Sequence, residues 1–130
     1  MPHYRLSEVA RLFGVSDDTV RRWVDSGQLS AGRDSGGRAV VDGAELAAFA
    51  KAGATEVPDP SGVGRSARNR FVGLVTDVVS DKVMSQVELQ CGTQRVVSLM
   101  STEAVRELGL EPGVLAVAVV KATQVVVETP

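Results

Sequence analysis

The spacing of hydrophobic positions changes near the middle of the chain. In the first 50 residues they recur about every 3.6 positions, as in amphipathic helices, and from Phe71 to Val127 they recur about every second position, as in half-buried strands. Residues 51–65 contain two prolines and almost no large apolar side chain. The pattern predicts a helical head over 1–50, a linker over 51–65 and a small β domain over 66–130.

The head begins with two short helices joined by a tight turn. Ser7 is the expected N-cap of the first helix, and Gly14 ends it because glycine enters the left-handed region without a side-chain penalty. Ser16 caps the second helix, which buries a stripe containing Val20 and Trp23. Such a pair predicts a helix-turn-helix, whose second helix enters a major groove of DNA.

A glycine-rich hairpin and a third helix follow. The hairpin is predicted between Leu29 and Val41, with its tip at residues 34–37. Asp42 is the expected cap of the third helix, with Glu45 at the capping-box position.

The stretch from Tyr4 to Phe49 resembles the MerR-like and excisionase-like winged helix-turn-helix family. The resemblance is carried by YRLSEVARLFGVSDDTVRRWVDSGQL, a GGR wing and a DGAELAAF helix. It implies double-stranded DNA as a partner, with the second helix at the major groove and the wing on the phosphate backbone. The expected DNA-binding residues are Asp17, Thr19, Arg21, Arg22, Arg33 and Arg38.

The charge of the chain limits the DNA affinity that a single copy can have. The chain carries a net charge of −2, so no global positive field holds it on nucleic acid. Six arginines in residues 1–38 face five acidic residues. A monomer with so small a local excess binds DNA poorly at physiological salt, and oligomerisation has to supply the avidity.

The second half predicts five strands and one helix. Strands are expected over 70–81, 82–92, 93–100, 114–120 and 121–128. Ser101 caps the helix of residues 101–113 and Gly109 ends its regular part. The whole chain is therefore expected to be α+β, a winged helix-turn-helix head followed by a five-stranded OB-like barrel.

Three segments of this half resemble the molybdenum-pterin-binding, or molbindin, domain of the TOBE group. They are SARNRFVGLV, STEAVRELGLEPG and VVKATQVVV, in that order from Ser66 to Glu128. The resemblance implies molybdate or tungstate as a bound oxyanion, held between subunits of a homo-oligomer that is hexameric or dimer-based. The positions that carry over to ligands are Ser66, Ala67, Arg68, Ser101, Lys121, Ala122 and Thr123.

Two positions depart from the pattern of that domain. Ser101 stands where threonine is usual, and Ala104 stands where serine is common. Loss of a hydroxyl donor at Ala104 weakens such a site by about one to two orders of magnitude without abolishing it.

The chemistry of a tetrahedral dianion agrees with this residue set. Its four oxygens accept hydrogen bonds, so a site needs several hydroxyl and backbone N–H donors and one or two cations. Ser66, Ser101 and Thr123 supply hydroxyls, while Arg68 and Lys121 supply cations. Arg65 and Arg70 are expected to be solvated and are not assigned as ligands.

The residue inventory argues against an enzyme. His3 is the sole histidine and is expected in a frayed terminus, and no cluster of His, Cys and carboxylate has metal-ligand spacing. The expectation is therefore no catalytic residue, no metal site and no organic cofactor. Cys91 is the only cysteine and no signal segment or membrane span is evident, which favours a cytoplasmic protein with no membrane partner.

Two other functions stay open at this stage. One is a molybdate storage or buffering protein whose head is an interaction module. The other is a DNA-architectural factor whose β domain only oligomerises. The sequence does not determine which DNA operator is recognised or whether the protein activates or represses transcription. It also does not determine whether molybdate or tungstate is preferred, or the oligomeric state.

Overall fold

The computed structural model describes residues 2–54, 57–62 and 66–130. The chain forms two compact units, Met1–Glu56 and Val57–Pro130. Each is described below by itself.

The helices of the first unit follow the sequence, with one correction. The first helix, α1 (Leu6–Phe13), begins two residues earlier than a Ser7 cap allows: Arg5 is its N-cap, and the Arg5 backbone N–H donates to Glu8 Oε1 at 3.1 Å. Gly14 ends α1 at φ 65°, as expected. The second helix, α2 (Asp17–Asp25), is capped by Ser16, whose Oγ accepts from the Thr19 N–H at 3.2 Å.

A three-stranded antiparallel sheet completes the first unit. Its strands are β1 (His3–Arg5), β2 (Gly32–Arg33) and β3 (Ala39–Asp42), in the order β1-β3-β2. The expected frayed terminus is wrong, because His3 pairs with Asp42 and the Gly43 N–H donates to the Pro2 carbonyl at 2.9 Å. A three-residue strand has too few positions to show a period, so β1 could not be recognised from the sequence pattern.

The third helix, α3 (Gly43–Ala52), closes the core of this unit. Asp42 caps it by accepting from the Glu45 N–H at 3.2 Å. Phe13, Trp23 and Phe49 form a cluster with ring centroids 5.0–5.8 Å apart, two of its pairs edge-to-face. The cluster packs against the buried residues Val9, Ala10, Val20, Leu29, Val41 and Leu46.

The second unit is a curled four-stranded antiparallel sheet with one helix. The elements are β4 (Asn69–Ser80), β5 (Met84–Cys91), β6 (Gln94–Ser101), α4 (Thr102–Leu108) and β7 (Leu115–Val120), and the strand order is β6-β5-β4-β7. This confirms the α+β class with an OB-like second unit. The fifth strand expected over 121–128 does not form: a 3₁₀ turn spans Ala122–Gln124, and Val126 and Val127 are 82% and 84% exposed.

The sheet curls because β4 changes partner along its length. Residues 69–74 of β4 pair with β7, and residues 74–80 pair with β5. Gly73 sits at the change, where a Cβ would lie 2.3 Å from the Gln90 carbonyl oxygen, so only glycine permits the close approach. A bulge at Thr76 adds to the bend. The core beneath contains Val75, Val87, Leu89 and Val105.

Candidate functional site

Two of the three candidate anion-binding segments leave the same end of the sheet. Asn69, the first residue of β4, pairs with Val120, the last residue of β7, and Asn69 Nδ2 donates to the Val120 carbonyl at 3.1 Å. Arg68 directly precedes Asn69 and Lys121 directly follows Val120. Residues 66–68 and 121–123, far apart in sequence, are therefore neighbours in the fold.

The side chains at this end suit an anion in chemistry and accessibility. Ser66, Arg68, Lys121 and Thr123 are exposed, and Ala67 is half-buried. They offer two cations and two hydroxyls beside a 3₁₀ turn, in which the Gln124 N–H donates to the Lys121 carbonyl at 2.9 Å. Ala122, also exposed, has a methyl group that leaves the backbone of this turn accessible.

Arg70 is not solvated, contrary to expectation. Its Nε donates to Asp59 Oδ2 at 2.6 Å and its Nη2 donates to Ser61 Oγ at 2.8 Å. The Arg70 hydrogen bond, together with the Ser61 N–H, holds the pKa of the Asp59 carboxyl far below its usual range. The sequence pattern missed this pair because Asp59 lies in a segment with no periodic signal. Arg65 lies outside the described residues.

Ser101 lies at the opposite end of β4 from Asn69. It pairs with Met84, next to the Ser80–Ser85 pair that ends the β4–β5 ladder. Its Oγ accepts from the Ala104 N–H at 3.1 Å, which confirms the predicted cap and leaves its hydroxyl hydrogen free of this contact. Within a single chain, therefore, Ser101 lies apart from Arg68 and Lys121.

A buried chain of hydroxyl groups fixes the start of α4 to the sheet. Thr102 Oγ1 donates to the Asp81 carbonyl at 2.8 Å, so the contact of 2.8 Å between Thr102 and Ser85 has Ser85 as donor. Ser80 then donates to Ser85 at 2.6 Å. This network was not predicted from the sequence. The available sign was Ser85 on the same alternating face as Val87 and Leu89.

The candidate DNA-binding residues of α2 lie around its first turns. Arg22 Nη2 donates to Thr19 Oγ1 at 3.1 Å, and Thr19 Oγ1 is 3.0 Å from Ser16 Oγ. Arg21 is exposed and 3.7 Å from Asp18, and the exposed Asp17 lies in the same first turn. Both arginines are exposed, and each contacts a residue of the first turn: Arg21 is near Asp18, and Arg22 donates to Thr19.

The wing is internally hydrogen-bonded. Asp34 Oδ1 accepts from the Gly36 and Arg38 N–H groups, each at 2.9 Å. The bond from Arg38 is the main reason why the pKa of Asp34 lies below its usual value. Arg33 Nη1 donates to the Gly37 carbonyl at 3.0 Å, whereas the Arg38 side chain is exposed. The hairpin thus forms as predicted, with one arginine folded onto its tip.

An apolar groove opens between the two edge strands of the second unit. It has a volume of about 490 Å3 and lies between β6 and β7, the strands that a closed barrel would pair. Val96, Met100, Leu110 and Ala118 are among its lining residues. The sequence predicted a five-stranded, partly closed barrel and contained no indication of this groove.

No helix among residues 2–54, 57–62 and 66–130 is long and apolar enough to cross a membrane. Over the same residues, no group of three or more His, Cys, Asp and Glu side chains is arranged to hold a metal ion.

Comparisons with known proteins divide the chain into two domains that correspond to the two units of the structure. Residues 4–54 match the family model of the helix-turn-helix domain, and residues 65–127 match that of the TOBE domain. None of the curated proteins compared with the chain is a match.

Three solved structures are similar to the second half. MopII from Clostridium pasteurianum is 34% identical over 51% of this chain and all of its own length, with a TM-score of 0.48. A molybdate-binding protein from Sporomusa ovata is 28% identical over 52% of this chain and all of its own, with a TM-score of 0.50. The cytoplasmic molybdate-binding protein ModG is 45% identical over 49% of this chain and 46% of its own length, with a TM-score of 0.44. The chain thus spans less than half of ModG.

Proposed function

Because the chain joins a helix-turn-helix domain to a TOBE domain of the molbindin kind, we propose that it is a molybdate- or tungstate-binding, DNA-binding regulator. The oxyanion is held by Ser66, Ala67, Arg68, Ser101, Lys121, Ala122 and Thr123. Its binding modulates how the heads engage double-stranded DNA. In this proposal the protein is a cytoplasmic, non-catalytic regulator.

The pairing of Asn69 with Val120 is the observation that carries the proposal. It makes neighbours of the two segments that the sequence analysis assigned to an anion, with Arg68 and Lys121 as the cations. Similarity over its full length to a molybdate-binding protein supports molybdate as the anion.

Self-association follows from the separation of Ser101 from Lys121. A site that uses both needs the Ser101 end of one copy against the Lys121 end of another. The groove between β6 and β7 and the exposed Val125–Val127 tail also support self-association, since unpaired strand edges and apolar tails favour pairing with a second chain. Symmetric assemblies of this kind include the hexamer and dimer expected from the sequence.

Titration calorimetry of the full chain with molybdate is the first test, with sulfate as the control anion and light scattering for the mass. We expect saturable binding that is selective over sulfate, in an oligomer. Absence of heat, or equal binding of sulfate, would contradict the oxyanion proposal and leave the second unit as a scaffold for assembly.

A mixing experiment tests whether the site is shared between copies. Lys121→Ala and Ser101→Ala chains are co-expressed and compared with each variant alone. If each site takes Lys121 from one copy and Ser101 from another, about one quarter of the sites in mixed oligomers are intact, and this fraction binds with the unaltered affinity. A site built within one chain recovers none, because every chain lacks one half.

DNA binding is tested by selection from genomic fragments, followed by measurement of affinity against salt concentration. Replacing Arg21 and Arg22 by Gln removes two candidate phosphate or base contacts, which lowers the salt slope by about 2. Arg106→Gln, an exposed arginine of α4, is the matched control. If the protein binds molybdate but no DNA fragment, the result favours molybdate storage over regulation.

Modulation of DNA binding requires that the anion favour one arrangement of subunits. An anion held between copies stabilises the arrangement that completes its site. The spacing of the heads then changes, and with it the pair of half-sites they can reach together. The test is to compare affinity for two half-site spacings with and without molybdate.

A further inference from the structure

An ion pair between a carboxylate and an arginine lies two residues along the chain from the first anion-binding segment. Arg70 follows Arg68 by two residues and is the second residue of β4. Arg70 is held by Asp59 at 2.6 Å and by Ser61 at 2.8 Å. The side chains of Arg70 and Asp59 are only 13% and 16% exposed, so water and salt screen this ion pair weakly.

The same contacts attach residues 57–62 to β4. Asp59 Oδ1 accepts from the Ser61 N–H at 2.9 Å, which makes a turn, and both residues of that turn bond to the Arg70 guanidinium. Arg70 itself is fixed in the β4–β7 ladder opposite Val119. The turn is therefore held at the end of the sheet from which Arg68 and Lys121 emerge.

We infer that Asp59 is a built-in competitor of the oxyanion and sets the affinity of its site. Asp59 engages Arg70, an arginine two residues from Arg68 that the anion could otherwise use. A dianion bound at Arg68 and Lys121 repels this carboxylate and attracts Arg70. Anion binding therefore loosens the attachment of residues 57–62 to β4.

This inference rests on the proposed oxyanion site and adds a regulation to it. Linkage is reciprocal, so whatever loosens the Asp59–Arg70 pair tightens anion binding by the same factor. Residues 57–62 lie on the N-terminal side of the anion segments, where the chain continues to the DNA-binding unit. Their release frees a described segment of the second unit from β4 when the anion is bound.

The first experiment is Asp59→Asn in the full chain, titrated with sodium molybdate. Asparagine keeps an acceptor for Arg70 but removes the negative charge, so the dissociation constant should fall about fivefold. Glu88→Gln is the matched control, because Glu88 is also paired with an arginine, Arg95, but lies on β5 within the sheet. Its affinity for molybdate should stay unchanged.

A second variant separates competition from mere loosening of the fold. In Asp59→Asn/Arg70→Met the gain should vanish, because the liberated charge is gone. Hydrogen exchange supplies an independent readout: in the unaltered protein, the Asp59 and Ser61 amides should exchange faster once molybdate is added.

The outcomes are distinguishable from failure of the proposed function. Equal molybdate affinity in the unaltered and Asp59→Asn proteins, or no change in exchange of these amides, overturns the competitor role and leaves the oxyanion site standing. A chain that binds no molybdate in any form refutes the proposed function, and the competitor role with it.

Discussion

Asn69 and Val120 face each other at the first residue of β4 and the last of β7, joined by a hydrogen bond of 3.1 Å from Asn69 Nδ2 to the Val120 carbonyl. This contact ties the two candidate anion segments together at the point where both leave the sheet. The sequence predicted a strand from residue 70 onward, and the structure makes Asn69 the first residue of that strand and the link between the two segments.

Asn69→Ala should therefore weaken both stability and anion binding. Loss of one half-buried hydrogen bond lowers the free energy of unfolding by about 1 kcal/mol. Looser spacing between Arg68 and Lys121 should also raise the dissociation constant for molybdate, measured by calorimetry. Gln90→Ala is the control, because its Nε2 also donates to a backbone carbonyl, that of Gly92 at 2.9 Å, but on the β5–β6 hairpin. If both variants alter molybdate binding equally, the link has no special role.

Gly73→Ala should destabilise the second unit alone. The new methyl group would lie 2.7 Å from Cys91 Sγ as well as 2.3 Å from the Gln90 oxygen, so β4 must move, at a cost of about 1–3 kcal/mol. Trp23 is the only tryptophan and packs in the first unit, so its fluorescence follows that unit. Urea unfolding should show an earlier transition in far-UV circular dichroism with the Trp23 transition unchanged. Gly32→Ala, with no atom within 4 Å of its Cβ, is the control.

Thr102→Val should leave the Ser85 hydroxyl hydrogen without its acceptor. Both residues are buried, so the free energy of unfolding should fall by about 1–3 kcal/mol, while Thr102→Ser restores most of it. Thr76→Val removes an exposed hydroxyl and serves as the control. Chemical denaturation measures all three. A loss no greater in Thr102→Val than in Thr76→Val would show that the hydroxyl chain contributes little.

Asp81 should contribute to the acid sensitivity of the second unit. Its Oδ1 accepts from the Met84 and Val83 N–H groups, each at 2.8 Å, and these bonds, that from Met84 first, lower the pKa of the carboxyl from 3.8. When the pKa of a carboxyl is lower in the folded state than in the unfolded state, its contribution to stability is complete at a pH above the unfolded-state pKa. This contribution is lost as the pH falls from the unfolded-state pKa through the folded-state pKa. Asp81→Asn should therefore be less stable at neutral pH and show a shallower decline between pH 5 and 2. Urea unfolding at a series of pH values gives the slopes; parallel slopes would contradict this assignment.

Local sequence accounted for most elements. Gly14, Ser16, Asp42 and Ser101 end or cap helices where expected, because these effects depend on a few neighbouring residues. The period of two located the first four strands of the second half. The fifth was wrong, since the valines of 125–127 have strand propensity but no strand within the described residues that pairs with them.

By itself the sequence determined two domains, their classes and the residue types that suit DNA and an oxyanion. Only the tertiary structure decided which of those residues lie together. It places residues 66–68 beside 121–123 and Ser101 at the other end of β4. It also pairs Arg70 with Asp59 in a salt bridge. The physical reason is the distance along the sequence over which each kind of interaction acts. Caps, turns and periodicity are set by residues within one or two turns of each other, whereas contacts between distant segments depend on where a long strand bends, here at Gly73.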